Sequence, residues 1–174
     1  MCSLFYIIMN MYDIFFTERV TIKGHIKKFL LYPNYWQNED NELPENLDWN
    51  AKKFSLENLK NIPKNEGIYA FVLIPEVNSF FQTKYLFYIG KTSRDLKTRY
   101  NEYLNEKNGK GKYRVKIYEM LNMYEGHMYF FYSVIDDRHK INECEDKLLN
   151  MFVPHVNVQI PEAKITPELR YIYE

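Results

Sequence analysis

Two short aromatic runs, each bounded by glycine, constrain this chain more than any other feature. The first is Gly67-Ile68-Tyr69-Ala70-Phe71-Val72-Leu73-Ile74 and the second Tyr85-Leu86-Phe87-Tyr88-Ile89-Gly90. Runs this short, rich in β-branched and aromatic residues, read as neighbouring antiparallel strands. Side chains alternate along a strand, so Tyr69 and Phe71 share one face while Ile68 and Ala70 take the other. The same alternation points Tyr88 away from the side taken by Phe87 and Ile89. Tyr69 and Tyr88 then come close on one face, near strand ends where loops add further groups. The connection from Pro75 to Lys84 is longer than a tight hairpin.

A length of 174 residues makes one domain the expectation, with room for a sizeable core. Formal net charge is zero, so the chain as a whole has no push toward nucleic acid. Its local distribution differs. Lys84, Lys91, Arg94, Lys97, Arg99, Lys107, Lys110, Lys112, Arg114 and Lys116 face only Asp95, Glu102 and Glu106 over the same interval, interleaved with Tyr100, Tyr103 and Tyr113. Such a block reads either as a phosphate-binding face or as a solvated helix face. Cys2 and Cys144 are far apart and lack a CxxC partner, and the four histidines show no ligand spacing. Neither a disulfide framework nor a zinc site is implied, and a reducing cytoplasm is the expected location. The apolar opening Leu4–Met9 is too short to span a bilayer and lacks a basic start, so no membrane partner is expected.

Taken in order, Val20, Ile22, Gly24 and Ile26 alternate with Thr21, Lys23, His25 and Lys27, a strand-like pattern with one basic face. Residues 34–50 read as a loop with Trp36 and Trp49 as packing anchors. The segment 1–54 is expected to be an N-terminal extension packed on the core. A substrate-recognition element carrying Lys23, His25, Lys27 and Lys28 is the sharper alternative. Ser55 caps a short helix, Leu56 to Asn61, stopped by Pro63. Thr92 or Ser93 caps a helix reaching Glu106, with Asp95 in its first turn and Leu96, Tyr100, Tyr103 and Leu104 as the inward stripe. Arg99 lies on the border of that stripe, where a guanidinium must meet an anion. A second helix spans Tyr113 to Tyr124 and a third strand His127 to Ile135.

Asp137 then caps a helix with Ile141, Cys144, Leu148 and Met151/Phe152 inward, ended by Pro154. Glu143 has Lys147 one turn on, an ordinary surface pair. Glu145 has Leu148 and Leu149 at the same offsets, so its carboxylate sits against the buried face and calls for a cation. The resulting expectation is an α+β fold, a small, mainly antiparallel three-stranded sheet flanked by helices in the order β-β-α-α-β-α.

Gly67-Ile68-Tyr69 followed by Tyr88-Ile89-Gly90 resembles the signature of the GIY-YIG nuclease superfamily. Gly90-Lys91-Thr92-Ser93-Arg94-Asp95-Leu96-Lys97-Thr98-Arg99 is similar to its GxT…L..R pattern. Glu145, nine residues before Pro154 with Asn157 three after it, is similar to its closing pattern. The resemblance covers roughly residues 65–157 and makes 55–174 a GIY-YIG-like catalytic domain. It implies hydrolysis of a DNA phosphodiester to 5′-phosphate and 3′-hydroxyl ends, with one Mg²⁺ (or Mn²⁺) per active site held by Glu145. The implied catalytic set is Tyr69, Tyr88, Lys91, Arg99, Tyr103 and Glu145. Gly67, Gly90 and Asn157 shape the site, and Arg94, Lys97, Lys110, Lys112 and Arg114 bind substrate.

Either tyrosine serves as proton acceptor by family analogy, with Tyr69 favoured and Lys91 expected to lower its pKa. The implied partner is nucleic acid, double-stranded DNA first, and cutting both strands implies a homodimer. The implied setting is restriction, a phage or a mobile element. A silent nucleic-acid-binding or scaffold module and a nuclease toxin are the alternatives.

Overall fold

In the computed structural model, residues 22–38, 42–77, 81–112, 114–160 and 164–174 are described. The fold is α+β. Four strands form one antiparallel sheet: β1 (Asn50–Lys53), β2 (Gly67–Leu73), β3 (Tyr85–Thr92) and β4 (Met128–Val134), in the spatial order β1-β4-β2-β3. The helices around the sheet are α1 (Leu96–Lys107), α2 (Val115–Met123), α3 (Arg138–Phe152) and the single turn α4 (His155–Val158), and Pro33–Trp36 forms a further helical turn before β1. The expected β-β-α-α-β-α order is present, with β1 added as a fourth strand on the outer side of β4. Its Asn50-Ala51-Lys52-Lys53 sequence carries no apolar alternation, which is why the pattern does not announce it.

Both sheet faces are covered, so β2 is buried along almost its whole length instead of alternating. On one face Tyr69, Phe71, Phe87, Tyr88 and Phe130 pack against Leu96, Tyr100 and Tyr103 of α1 and Ile117, Met120 and Leu121 of α2. On the other, Ile68, Ala70, Val72 and Ile89 meet Ile141, Cys144, Leu148 and Leu149 of α3. Leu149 thus completes the α3 stripe, while Phe152 is exposed.

Tyr88 does not point away from Phe87. The β2–β3 register pairs Phe71 with Tyr88 and Val72 with Leu86, which leaves Phe87 as an extra residue in a β-bulge. The bulge turns both rings to the α1 side and places Ile89 on the other.

The N-terminal part departs further from expectation. Ile22–His25 form a 3-10 turn rather than a strand, and Val20 and Thr21 lie outside the described residues. Trp36 and Trp49 are 40% and 38% exposed, so neither is a buried anchor. Leu30, Tyr35, Leu43 and Leu47 instead pack on the α3-side cluster. Leu56–Asn61 is a 3-10 helix whose Ser55 makes no side-chain cap. The Ser55 backbone is tied to Tyr100, which accepts from its N–H and donates to its carbonyl, each at 2.8 Å. Asp95, not Thr92 or Ser93, caps α1, accepting from the Thr98 N–H at 2.6 Å. Asp137 caps α3 as its position implies, accepting from the His139 N–H at 2.8 Å.

Candidate active site

β3 is an edge strand, and the site forms around its open side. Asn157 of α4 lies along that edge. Its carboxamide accepts from the Ile89 N–H and donates to the Ile89 carbonyl, both at 2.8 Å, so it satisfies backbone groups that would otherwise be unpaired. The next residue, Gly90, sits opposite Tyr69. A Cβ on Gly90 would lie 2.6 Å from the Tyr69 hydroxyl and 2.7 Å from its ring, so only glycine lets that phenol cross the strand. Gly67 is constrained similarly, since a Cβ there would lie 2.2 Å from the Ser133 carbonyl oxygen.

Tyr69 is fully buried at the centre of a polar cluster. Its hydroxyl lies 2.9 Å from that of Tyr103 and accepts from Arg99 Nε at 2.8 Å. Arg99 also donates to Tyr103 at 3.2 Å and to Glu102 at 2.7 Å. Arg99 therefore meets phenols and a carboxylate one turn along its own helix. Burial works against its charge, but the phenols of Tyr103 and Tyr69 and the Glu102 carboxylate outweigh it and raise its pKa. Arg114 also lies over the Tyr103 ring, 5.0 Å from its centroid, and is held by Glu106 at 2.5 Å. Glu106 is only 3% exposed, a buried carboxylate whose charge is matched by that guanidinium.

From the opposite face of the sheet come Lys91 and Glu145, paired at 2.6 Å with side chains 24% and 14% exposed. Burial pushes the Glu145 carboxyl above its ordinary value, against the hydrogen bond and charge of Lys91. Glu143 pairs with Lys147 at 3.0 Å, as its spacing implies.

These groups converge. Tyr69, Tyr88, Arg99 and Arg114 from one side, and Lys91 and Glu145 from the other, line one cavity of about 310 Å³. Lys112 and Asn157 line it too, as do Leu149, Ile160 and Lys164. Tyr103 lies behind Tyr69 and Arg99. Among the substrate-binding candidates only Lys112 and Arg114 reach the cavity. Arg94 turns to Glu102 at 2.5 Å, Lys97 lies beside Leu56–Lys60, and Lys110 is an exposed loop residue outside the lining. Tyr100 is core, as its place in the inward stripe of α1 implies, and takes no part in the basic face.

Lys164 is a site residue that no motif announces, and the roles of Glu102 and Glu106 as partners of Arg99 and Arg114 are likewise absent from the motifs. The Arg99–Glu102 spacing is a usable local signal. Lys164, on a tail joined to Asp146 at 3.6 Å, has none.

The expected lowering of a tyrosine pKa is not met. Lys91 is engaged by Glu145, and burial pushes Tyr69, Tyr88 and Tyr103 above the ordinary phenol value despite the opposing charge of Arg99.

A family model described as the GIY-YIG catalytic domain matches residues 66–157, just over half of the chain. Fold and site together define a nuclease-type domain whose substrate is nucleic acid. The chain belongs to the GIY-YIG nuclease superfamily. No curated protein and no solved structure matches it. No helix among the described residues is long and apolar enough to cross a membrane.

Proposed function

We propose that this chain is a divalent-metal-dependent endonuclease that hydrolyses DNA to 5′-phosphate and 3′-hydroxyl ends. The observation that carries the reading is the single cavity shared by Tyr69, Tyr88, Lys91, Arg99 and Glu145. It holds the charges a phosphodiester needs: a guanidinium for the non-bridging oxygens, an ammonium and a carboxylate.

Among the described residues no cluster of three or more acidic, histidine or cysteine side chains exists to hold a metal. One carboxylate opening onto a polar cavity still suits Mg²⁺, which keeps most of its waters and takes substrate oxygens. Glu145 is the residue to hold it. When bound, such an ion supplies positive charge to the phosphate and acidity to a coordinated water. In its absence Lys91 balances the carboxylate.

Arg99 is oriented by Glu102 and presents a fixed fork to the phosphate. Tyr69 is favoured over Tyr88 as the proton acceptor, because Arg99 donates directly to its oxygen and stabilises a phenolate there. In the ionised fraction that burial keeps small, the Tyr69 phenolate takes the proton of the attacking water and becomes a phenol, and Tyr88 orients the phosphate. Lys112, Arg114 and Lys164 hold the strand entering the cavity. Residues 55–174 form the catalytic domain and 1–54 an extension. A restriction, phage or mobile-element setting and a homodimer for double-strand cutting fit this reading.

Supercoiled plasmid incubated with Mg²⁺ or with EDTA tests it. Wild type is expected to cut only with the metal, and Glu145→Ala or Arg99→Ala to slow cleavage by about a hundredfold or more. Absence of cleavage of any nucleic acid by the wild type would sink the proposal and leave a binding module.

A further inference from the structure

The cavity at the β3 edge has a neighbour. Tyr88 lines the first and Phe87, turned the same way by the bulge, lines a second and smaller one. Two other elements divide likewise. Arg114 faces the first cavity and Lys116, two residues on, the second. Asn157 faces the first and His155, two residues back, the second. Three elements each contribute to both hollows, so the two are consecutive positions along one surface.

The second hollow is built for negative charge. Lys27 from the N-terminal segment and Lys116 from α2 line it together with Glu119, His155 and Gln159. Lys27 is held below its ordinary pKa, first by burial and then by the charge of Lys116, with Glu119 opposing. Glu119 lies 3.9 Å from Lys116, beyond hydrogen-bond range, and its one carboxylate faces two ammonium groups. The His155 imidazole is held from both ends, with Nε2 3.2 Å from the Gln159 carboxamide and Nδ1 buried against the Lys28 backbone. Two half-buried ammonium groups that share one carboxylate favour an anion with several acceptor oxygens.

We propose that Lys27 and Lys116, against a wall formed by His155, make a second phosphate site, which holds the nucleic-acid backbone beside the phosphate being cut. This rests on the nuclease reading of the first cavity, and it makes the N-terminal segment part of the substrate surface. A phosphate oxygen there accepts from both ammonium groups.

The test is equilibrium binding of the full chain to a labelled mixed-sequence DNA duplex in EDTA, measured against salt. For Lys27→Gln with Lys116→Gln, the slope of log affinity on log salt is expected to fall by about two, one per lysine lost. Lys27→Arg with Lys116→Arg is expected to keep the wild-type slope. In cleavage with Mg²⁺, the Gln pair is expected to raise KM while kcat stays within about twofold.

An unchanged slope in a Gln pair that melts like wild type overturns the proposal, as does an Arg pair that behaves like the Gln pair. So does a thermal shift by inorganic phosphate that the Gln pair abolishes without altering the DNA slope, which would mark an independent anion site. Failure of the nuclease reading shows separately, as absence of cleavage by the wild type, and leaves the slope to judge this site.

Discussion

At the scale of single residues, the site depends on one missing side chain. Gly90 is needed because the Tyr69 phenol occupies the place of its Cβ, not because of a special backbone angle. Gly90→Ala is therefore expected to destabilise the fold by about 1–3 kcal/mol, read from urea unfolding, and to move Tyr69 off Arg99. Cleavage by that variant should fall further than its stability alone explains. Both glycines and both tyrosines are legible in the sequence, because tripeptide identity and order carry them. What holds Arg99 is legible only in part: Glu102 and Tyr103 lie three and four residues on along α1, whereas Tyr69 meets it only across the gap between α1 and the sheet. The pKa directions are likewise invisible in one dimension. Loop cations beside a tyrosine suggest an acidified phenol, whereas burial in the α1-side core prevails.

At the scale of elements, two devices place the site: a bulge in β3 and an amide clamp on its edge. The bulge sets Phe87 and Tyr88 side by side and leaves Lys91 on the α3 face, facing Glu145. Strict alternation, the only rule a sequence offers, mispositions Tyr88 relative to Phe87 for that reason. The clamp binds α4 to β3. Asn157→Ala leaves the buried N–H and carbonyl of Ile89 unpaired, and a loss of roughly 2 kcal/mol or more is expected in denaturant unfolding. Amide exchange at Ile89 and Gly90 should accelerate in the same variant, because the open edge frays first. A leucine at 157 cannot repair this, as it restores volume without a donor or an acceptor. Capping shows the opposite balance: Asp137 is readable from its place before an amphipathic run, while Asp95 displaces Thr92 and Ser93 as the cap of α1.

At the scale of the whole molecule, helices on both faces of a four-stranded sheet make a cavity that draws on both layers at the edge strand. The N-terminal segment reaches the far end of that surface, where Lys27 and Lys116 surround His155. Burial, then those two lysines, hold the imidazole pKa at about 4, below its ordinary 6.5. Folding thus keeps His155 neutral, and an unfolded chain takes up more protons between those values. Stability from this residue is full above pH 6.5 and is lost as pH falls toward 4. His155→Gln is expected to flatten the pH dependence of unfolding free energy across that window relative to wild type, as followed by urea titrations at several pH values. An identical slope in the variant would show that the imidazole does not titrate on unfolding.

The sequence by itself determined the strand pair, the helix order, the family and the residues Tyr69, Tyr88, Arg99 and Glu145, since these are written as local periods and fixed spacings. Only the tertiary structure decided the fourth strand, the Lys91–Glu145 pair, the Glu106–Arg114 support and the arrival of Lys164 and Lys27 at the surface. Those depend on distance through space and on exclusion of water, and neither quantity exists until the layers have closed on one another.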